Sequence, residues 1–477
     1  MNYETVIGLE VHLQLATKTK AFCGCSTKFG QTPNSQTCPV CLGFPGSLPV
    51  LNEEAFKAAL KTALALNCKI QKLIKFDRKN YYYPDLPKNF QISQYDMPLS
   101  YDGFIDIGVK DGAKKRIRIK RVHMEEDAGK LMHPEGERYS LVDYNRGGMP
   151  LLEIVTEPDI NSPDEAYDYL TKLKSILEYL RVSDCDMEKG SLRCDANISI
   201  RPKGGKKLGT KVELKNMNSF KNVRSGLEYE VKRQESLIGE GGRIVQETRL
   251  WDADKLITKS MRVKEEAEDY RYFPEPDLVP FVVEKSDIEK IKKALPELPE
   301  ARTGRFKSQF ALSEYDAGVL TSQVDIAEYF EECVKLYPNP KTIANWIMGD
   351  IIALANDKAL NIRELGFPAE ALAGLLKMVD SGAISGKMAK DVLVEAIETR
   401  MSPDDIVRKN GLSQISDTGR IEEIIKLVLK KEEKSANDYK AGKRNAFTFL
   451  VGQVMKETKG KANPAIVNEI LKKILGE

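Results

Sequence analysis

The sequence contains little histidine and tryptophan, and it has no long hydrophobic run. Only three histidines in 477 residues, with no G-x-S-x-G motif, argue against a Ser-His-Asp hydrolase. The G-x-x-x-x-G-K-[ST] motif is also missing, so any ATP site is not of the P-loop kind. No stretch approaches the roughly 18 uninterrupted apolar residues of a membrane span. The first residues lack a basic segment followed by an apolar core, and we therefore expect a cytoplasmic chain.

Net charge and composition exclude little else. A formal charge of +2 does not indicate a nucleic-acid-binding protein as a whole, so any such surface must be local. With 42% hydrophobic and 30% charged residues, the chain is typical of a soluble globular protein. Its length allows about three domains.

Half of the eight cysteines lie within nineteen residues, as Cys23, Cys25, Cys38 and Cys41. The spacing is C-x-C, twelve residues, then C-x-x-C, and two such pairs on tight turns can converge on one tetrahedral zinc ion. A redox C-x-x-C pair or four unlinked buried thiols are the alternatives, but a redox pair would not need the first C-x-C. Four thiolates leave no open coordination position, so we expect a structural zinc site. The remaining cysteines are isolated, and we expect them in the core.

The segment "TVIGLEVHLQLA" alternates strictly between apolar and polar residues, which predicts a strand with one buried face. Glu10 and His12 lie two residues apart and therefore share the polar face. Such a pair can bind a divalent cation or position a nucleophile, although a solvated sheet face would have the same pattern.

Other predicted strands also carry acids and bases on one face. Their polar residues are Glu125, Glu126, Asp127, Glu153, Glu157, Arg193, Asp195, Asn197, Lys211, Glu213 and Lys215. Several strands of this kind predict an antiparallel sheet with an open polar concavity. An ordinary solvated face is usually rich in Thr, Ser and Lys. Carboxylates mixed with arginine are instead typical of a site for magnesium and phosphate.

Two further segments fit such a site. The stretch from Asp77 to Asp96 mixes Lys79 and other basic residues with several aromatic residues, which can hold phosphates while stacking a nucleobase or an RNA end. A surface loop with buried tyrosines is the alternative. Arg146 precedes two glycines that would let the backbone approach a ligand closely, although two glycines are weak evidence.

The pattern changes near residue 290, where a charged, proline-containing junction is followed by helical apolar spacing. We predict an α+β multidomain protein, with an antiparallel-sheet cradle domain (1–293), an all-α helical domain (294–405) and a small all-α tail domain (406–477). From 421 to 477 there are twelve Lys or Arg against eight Asp or Glu. The residues that suit contact with an RNA backbone are Lys440, Lys443, Arg444, Lys456 and Lys459, although lysine-rich helices are often merely solvated.

These motifs occur together and in one order: "YETVIGLEVHLQL", the cysteine cluster, "DRKNYYYPDLPKNFQISQYD", "MEEDAGKL", "NRGGMPLLEIVTEPD", "SLRCDANISI", "TKVELKNMNSF" and "RYFPEPDL". By this set and order of motifs, the chain resembles the B-subunit family of the tRNA-dependent (glutamyl/aspartyl-tRNA) amidotransferase over essentially its whole length. The resemblance implies the cradle, the helical domain and a tail like the stand-alone tRNA-interacting modules of the YqeY-like family.

The resemblance also implies a reaction. Mischarged Glu-tRNA(Gln) or Asp-tRNA(Asn) enters the cradle, and its side-chain carboxylate takes the γ-phosphoryl group of ATP. Ammonia, released from glutamine by the amidase (the A subunit), then displaces phosphate, so the enzyme is a ligase that forms a carbon–nitrogen bond with glutamine as amide donor. A small C subunit completes a heterotrimer. The expected cofactors are ATP, Mg²⁺ and structural Zn²⁺.

The resemblance and the polar faces together identify candidate site residues. The candidates for the metal and its water shell are Glu10, His12, Glu125 and Glu153, with Glu126, Asp195 and Glu213 as second choices. The candidates for phosphate contacts are Lys79, Arg146 and Arg193. The cysteine cluster would hold Glu10 and His12 in place or support the loop that faces the acceptor end.

Three other interpretations compete with this one. An archaeal-type relative specific for Glu-tRNA would carry an extra inserted domain, for which the chain has no room. A non-enzymatic tRNA-binding scaffold would not need acid-rich strand faces. A self-sufficient glutamine amidotransferase lacks support, because neither an amidase Ser-Ser-Lys signature nor a recognisable glutaminase cysteine motif is present.

Overall fold

A computed structural model describes residues 3–108, 112–134, 136–263, 270–412, 418–440, 443–458 and 462–476. The chain forms two compact units, Met1–Pro299 and Glu300–Glu477. The first has mixed strands and helices, and the described part of the second is helical, in agreement with a multidomain α+β protein. The predicted division of the second unit near residue 405 stays a prediction.

The described strands of the first unit are β1 Tyr3–Gln14, β2 Lys69–Ile70, β3 Leu73–Ile74, β4 Asp77–Asn80, β5 Phe90–Ser93, β6 Ser100–Gly108, β7 Lys114–Glu126, β8 Lys130–Met132, β9 Leu141–Asp143, β10 Pro150–Thr156, β11 Leu192–Pro202, β12 Val212–Lys215, β13 Glu247–Asp252, β14 Ile257–Val263, β15 Phe273–Pro274 and β16 Phe281–Val282. Nine of them form one sheet in the order β14-β13-β12-β11-β1-β10-β7-β6-β2. Neighbouring strands pair antiparallel except β12 and β13, which are parallel.

Strand β1 lies in the middle of this sheet, and its alternation decides which face is buried. The odd positions from Ile7 to Leu15 are at most 2% exposed, whereas Glu10, His12 and Gln14 are half-buried, so the predicted alternation is confirmed. The helices of this unit are α1 Glu53–Ala65, α2 Pro163–Tyr179, α3 Phe220–Gly239 and α4 Lys285–Lys293. Apolar side chains of the first three share one core with the buried face of β1. The opposite face of the sheet therefore carries the polar residues.

Local sequence signals explain where these helices begin. The side chain of Ser162 accepts a hydrogen bond from the Glu165 amide and is followed by Pro163, a typical start for α2. Ser219 caps α3 in the same way. The cysteine-rich segment lies between β1 and α1 and has no regular secondary structure except an isolated bridge between Thr19 and Ser26.

The second unit continues with helices only in its described residues, as the change of pattern near residue 290 predicts. They are α5 Pro299–Phe310, α6 Glu314–Leu320, α7 Val324–Leu336, α8 Pro340–Trp346, a π-helical segment Ile347–Ile351, α9 Ile352–Asp357, α10 Ala369–Asp380, α11 Gly386–Thr399, α12 Pro403–Lys409, α13 Thr418–Lys431, α14 Glu433–Lys440, α15 Asn445–Glu457 and α16 Pro464–Leu475. The last four helices enclose an apolar core of their own. None of the helices that could be searched has the length and apolarity needed to cross a bilayer.

Candidate functional site

A row of polar side chains crosses the polar face of the sheet because four strands pair in register. His12 on β1 lies opposite Arg193 on β11 and opposite Glu153 on β10, and Glu153 in turn lies opposite His123 on β7. Glu125 follows two residues after His123 and therefore shares its face. Residues far apart in the chain thus meet at one place.

Three of these residues form a compact cluster of potential metal ligands. His12 Nε2 lies 3.7 Å from Glu125 Oε1 and 3.7 Å from Glu153 Oε2. One atom from each residue lies within 4.8 Å of the other two, which is close enough for a single divalent cation. Both carboxylates are buried, and the His12 side chain is 21% exposed, so the cluster is open to solvent at the imidazole.

His123 is absent from the predicted site residues, yet it contacts both acids. Its Nε2 lies 3.2 Å from Glu153 Oε2 and 3.8 Å from Glu125 Oε2. The i, i+2 spacing of His123 and Glu125 is the same signal that identifies Glu10 and His12, and it would have found this histidine too. Asp127, the residue that follows β7, accepts hydrogen bonds from Gln14 Nε2 and from Arg193, and it is likewise outside the predicted ligand set.

Electrostatics keep the two acids of the cluster ionised. Burial tends to raise the pKa of Glu153, but His123, His12 and Arg121 lower it well below the usual range. Burial also opposes ionisation of Glu125, and the His123 hydrogen bond and the Lys79 charge lower its pKa nonetheless. Burial tends to lower the pKa of His123, but the two carboxylates raise it to about 9. The cluster thus holds two carboxylates in their ligand form.

The other predicted acids lie outside this cluster. Glu10 is the next polar residue along β1, and it accepts a hydrogen bond from Asn197 at 2.9 Å. Asp195 lies opposite Glu10 in the sheet and pairs with Lys215 Nζ at 2.5 Å. Glu213 also pairs with Lys215, at 3.3 Å. These acids form a second polar patch on the same face, next to the cluster.

Glu126 points in a different direction from Glu125, because neighbouring residues of a strand face opposite sides. Its carboxylate pairs with Lys88 and accepts a hydrogen bond from the Ile92 amide. It lines a cavity of about 240 Å³ together with Cys23 and Cys41. The Glu126 carboxylate therefore lines the cavity beside the cysteine cluster and does not belong to the group of His12, Glu125 and Glu153.

The predicted phosphate contacts are only partly available. Arg193 donates to Asp127 at 3.0 Å. Arg146 donates to the carbonyl oxygens of Ala128 and Gly129, at 3.0 and 2.6 Å. Both arginines are thus already engaged within the protein, whereas the ammonium of Lys79 lies over the face of an aromatic ring.

The segment from Asp77 to Asp96 forms the short β4–β5 hairpin around an irregular loop, and it lines an open cavity of about 620 Å³. Lys79 Nζ lies 4.9 Å from the ring centre of Tyr270. Tyr82 is 74% exposed beside Arg271, whose guanidinium lies 5.8 Å from the tyrosine ring. The residues that line the cavity are Lys79, Asn80, Tyr81, Tyr82, Tyr83, Lys215, Thr248, Met261, Tyr270 and Arg271. The cavity combines aromatic faces with basic residues, as the sequence predicts.

The four clustered cysteines converge. Their sulfur atoms all lie within 4.8 Å of one another, and none forms a disulfide. The Cys38 amide donates to Cys41 Sγ at 3.2 Å, and a hydrogen bond from the Cys23 thiol lowers the pKa of Cys41. The other four cysteines are buried singly, as predicted.

The glycines after Arg146 serve the protein's own packing. Gly148 has φ +84°, and a Cβ atom there would lie 3.3 Å from Lys20 Cδ and 3.5 Å from Cys41 Cβ. The close approach seen at Gly148 is therefore to the cysteine loop, and the predicted approach to a ligand stays a prediction.

The basic residues predicted for the tail lie on its surface where they are described. Lys440, Lys443, Arg444 and Lys456 are exposed, and Lys443 pairs with Asp438 at 3.0 Å. Lys459 lies outside the described residues.

Comparison with known proteins places this site in a family. Residues 5–289 match the family model described as "GatB/GatE catalytic domain", and residues 328–475 match the one described as "GatB domain". The class of the first unit is therefore a GatB/GatE-type catalytic domain.

Similar proteins extend along the full chain. A protein of Caldanaerobacter subterraneus subsp. tengcongensis, named as the B subunit of aspartyl/glutamyl-tRNA(Asn/Gln) amidotransferase, is 57% identical over 100% of both chains. Proteins of the same name from Carboxydothermus hydrogenoformans and Brevibacillus brevis are 55% and 53% identical, over 98% and 99% of both chains. The chain belongs to the family of B subunits of the aspartyl/glutamyl-tRNA amidotransferase.

Proposed function

We propose that this chain activates and amidates the side-chain carboxylate of Glu-tRNA(Gln) or Asp-tRNA(Asn), in complex with an amidase partner (the A subunit) and a small third partner (the C subunit). The observation that carries the proposal is the cluster of His12, Glu125 and Glu153 on the polar face of the sheet. A family member with a buried, ionised acid pair at this position is suited to phosphoryl transfer rather than to tRNA binding alone.

The chemistry requires activation because a carboxylate has no usable leaving group. A carboxylate oxygen of the aminoacyl group attacks the γ-phosphorus of ATP, and the bond to the ADP oxygen breaks. Ammonia then attacks the acyl carbon, the bond to the phosphate oxygen breaks, and the ammonium intermediate loses a proton to give the amide. Positioning and charge stabilisation dominate such a transfer, and no protein nucleophile is needed.

The cluster fits a divalent cation, since two ionised carboxylates and one imidazole offer ligand atoms within 4.8 Å of one another. His12, Glu125 and Glu153 would hold the metal, with Glu10 and Asp195 beside it. When bound, Mg²⁺ neutralises charge on the transferring phosphoryl group. Mn²⁺ shares the preference of Mg²⁺ for carboxylate and water ligands, so we expect Mn²⁺ to support activity as well.

The tyrosine-lined cavity supports a role in holding the acceptor end of the tRNA. Lys79 and Lys215 are the basic residues that line it together with Arg271. Exposed Tyr82 offers a face on which a terminal base could stack. Lys79 is near enough to lower the pKa of Glu125, so a base in this cavity would be close to the acid cluster.

The four cysteines fit a structural zinc ion. Their four sulfur atoms lie within 4.8 Å of one another, close enough to bind one tetrahedral ion, and Cys41 Sγ accepts a backbone amide hydrogen bond.

The helices after residue 405 would form a separate tail domain whose exposed basic residues contact tRNA. The apolar core that they enclose supports this division.

An archaeal-type relative with an inserted domain is a weaker candidate. The two family matches are separated only by residues 290 to 327, which leaves no room for another domain. The match to a GatB domain in the second unit also favours the B-subunit family.

The deciding experiment reconstitutes the chain with its two partner subunits and supplies ATP, glutamine and either mischarged tRNA. Amide formation and phosphate release should both depend on ATP, and the ratio between the two tRNAs gives the specificity. Glu153→Gln should lower the rate by about 100-fold or more while tRNA still binds. Glu54→Gln, which alters an exposed acid on α1, is the control. Full activity of Glu153→Gln would favour the scaffold interpretation.

A further inference from the structure

Lys20 is a completely buried lysine in the loop that carries the cysteine cluster. Its relative exposure is 0%, and it is among the largest side chains with no solvent contact. Lysine is almost never fully buried unless it is paired, because removing an ammonium from water is costly. A buried ammonium of this kind therefore needs a negatively charged partner nearby.

No carboxylate supplies that partner. Within the described part of the chain, no Asp or Glu oxygen lies within 4.0 Å of Lys20 Nζ, and the ammonium has two contacts. It donates to the Tyr144 carbonyl oxygen at 3.1 Å, and it lies 3.7 Å from Cys41 Sγ. Only the sulfur can carry a full negative charge.

A metal site made of four thiolates would supply the negative charge that the Lys20 ammonium needs as a partner. Zn²⁺ with four deprotonated cysteines carries a net charge of −2, which is itself costly to bury. We infer that Lys20 is the buried counter-charge of the cysteine metal site and donates an N–H···S hydrogen bond to Cys41. This inference rests on the proposal that the four cysteines bind zinc.

The backbone around Lys20 keeps it in place. Its amide donates to the Cys25 carbonyl at 3.0 Å, which closes the turn that contains Cys23. The next amide, of Ala21, donates to the Gly148 carbonyl at 2.8 Å. Gly148 also lies over the lysine stem, where a Cβ atom would press on Cδ. Lys20 thus joins the cysteine loop to the segment that carries Arg146, and it acts as a positioning residue.

The test compares zinc retention in Lys20→Met with that in the unaltered chain, each purified with the partner subunits and without chelator. Methionine is unbranched and only one atom shorter than lysine, and it removes the charge. We expect one zinc per chain in the unaltered protein, and release from Lys20→Met to a chromogenic chelator about 10- to 100-fold faster, as for other residues that support metal ligands. Lys18→Met, two residues earlier and exposed, should release zinc at the unaltered rate.

Two further measurements separate charge from packing. Replacing zinc by Co²⁺ gives a thiolate-to-metal absorption band, which should move to longer wavelength in Lys20→Met because Cys41 loses a hydrogen bond. Cys25→His replaces one thiolate by a neutral imidazole and so makes the site less negative, from −2 to about −1, and Lys20→Met should therefore reduce zinc retention less in that background. This double variant also serves if Lys20→Met alone does not fold.

Each outcome is decisive. If the unaltered protein contains no zinc, the metal proposal fails and the inference fails with it. If zinc is present but Lys20→Met retains it as well as Lys18→Met, with an unchanged cobalt spectrum, the zinc proposal stands and the role of Lys20 is overturned. An equal penalty in the Cys25→His background would also contradict a role based on charge.

Discussion

The imidazole of His123 and the carboxylate of Glu153 lie opposite each other on neighbouring strands, with Nε2 3.2 Å from Oε2. Both side chains are buried, and the His123 Nδ1 atom has no hydrogen-bond partner in the described residues. The ring is therefore anchored through Nε2 alone, where it orients Glu153 toward His12. The other carboxylate oxygen of Glu153, Oε1, lies 3.3 Å from Nη2 of Arg121.

Replacing His123 should weaken binding of the divalent cation. In His123→Ala, Glu153 loses the donor at 3.2 Å and keeps only the longer contacts with Arg121 and His12 among those described. We expect the Mg²⁺ concentration for half-maximal phosphate release to rise about tenfold, as is common when a residue behind a metal ligand is lost. His133→Ala, which alters an exposed histidine, should have no effect. A lower Mg²⁺ requirement would mean instead that His123 opposes the cation by its charge.

Tyr82 should contribute to tRNA binding through its ring. Tyr82→Ala removes the exposed face of the cavity, and stacking of one base is worth about 1–3 kcal/mol. We therefore expect the KM for mischarged tRNA to rise about tenfold with little change in kcat, measured by amide formation at saturating ATP. Tyr82→Phe keeps the face and should behave as the unaltered chain. Equal KM values for Tyr82→Ala and Tyr82→Phe would show that the Tyr82 ring does not stack on a base of the tRNA.

The cysteine cluster should hold one zinc ion that stabilises the first unit. Elemental analysis of protein purified without chelator should find one zinc per chain. Cys38→Ser should lose the metal and lower the unfolding temperature by about 5 °C. Cys333→Ser, in the second unit, should leave zinc content unchanged. Absence of zinc from the unaltered protein would disprove the metal assignment.

The exposed basic residues of the tail should contribute to tRNA affinity. Changing Lys440, Lys443, Arg444 and Lys456 together to Gln should weaken tRNA binding. The slope of log affinity against log salt concentration should also become shallower, by about one for each phosphate that is no longer bound. Glutamine hydrolysis by the partner should be spared. The control replaces the same number of exposed lysines on α4, namely Lys285, Lys290, Lys292 and Lys293. Similar losses in both variants would indicate a general charge effect.

Much of the architecture could be predicted because it depends on local patterns. Strict alternation identifies β1 and its buried face, and the loss of alternation near residue 290 identifies the start of the helical part. The spacing of the four cysteines predicts their convergence.

The membership of the site could be predicted only in part. The predicted ligands His12, Glu125 and Glu153 do meet, whereas Glu10 pairs with Asn197 beside them. Glu126 is predicted together with Glu125 because both stand in "MEED", yet it lies on the cysteine side of the sheet.

By itself, then, the sequence determined the family, the faces of the strands and the cysteine cluster, since each is encoded in the order and spacing of neighbouring residues. Only the tertiary structure decided that His12 lies between Arg193 and Glu153, that His123 lies beyond Glu153, and that Lys20 reaches Cys41. These contacts depend on strand register and loop packing between segments far apart in the chain. Alternation excludes a shift of one residue, because that shift would turn a strand's polar side chains to the buried face. It does not exclude a shift of two residues, which keeps the faces but brings different polar residues together.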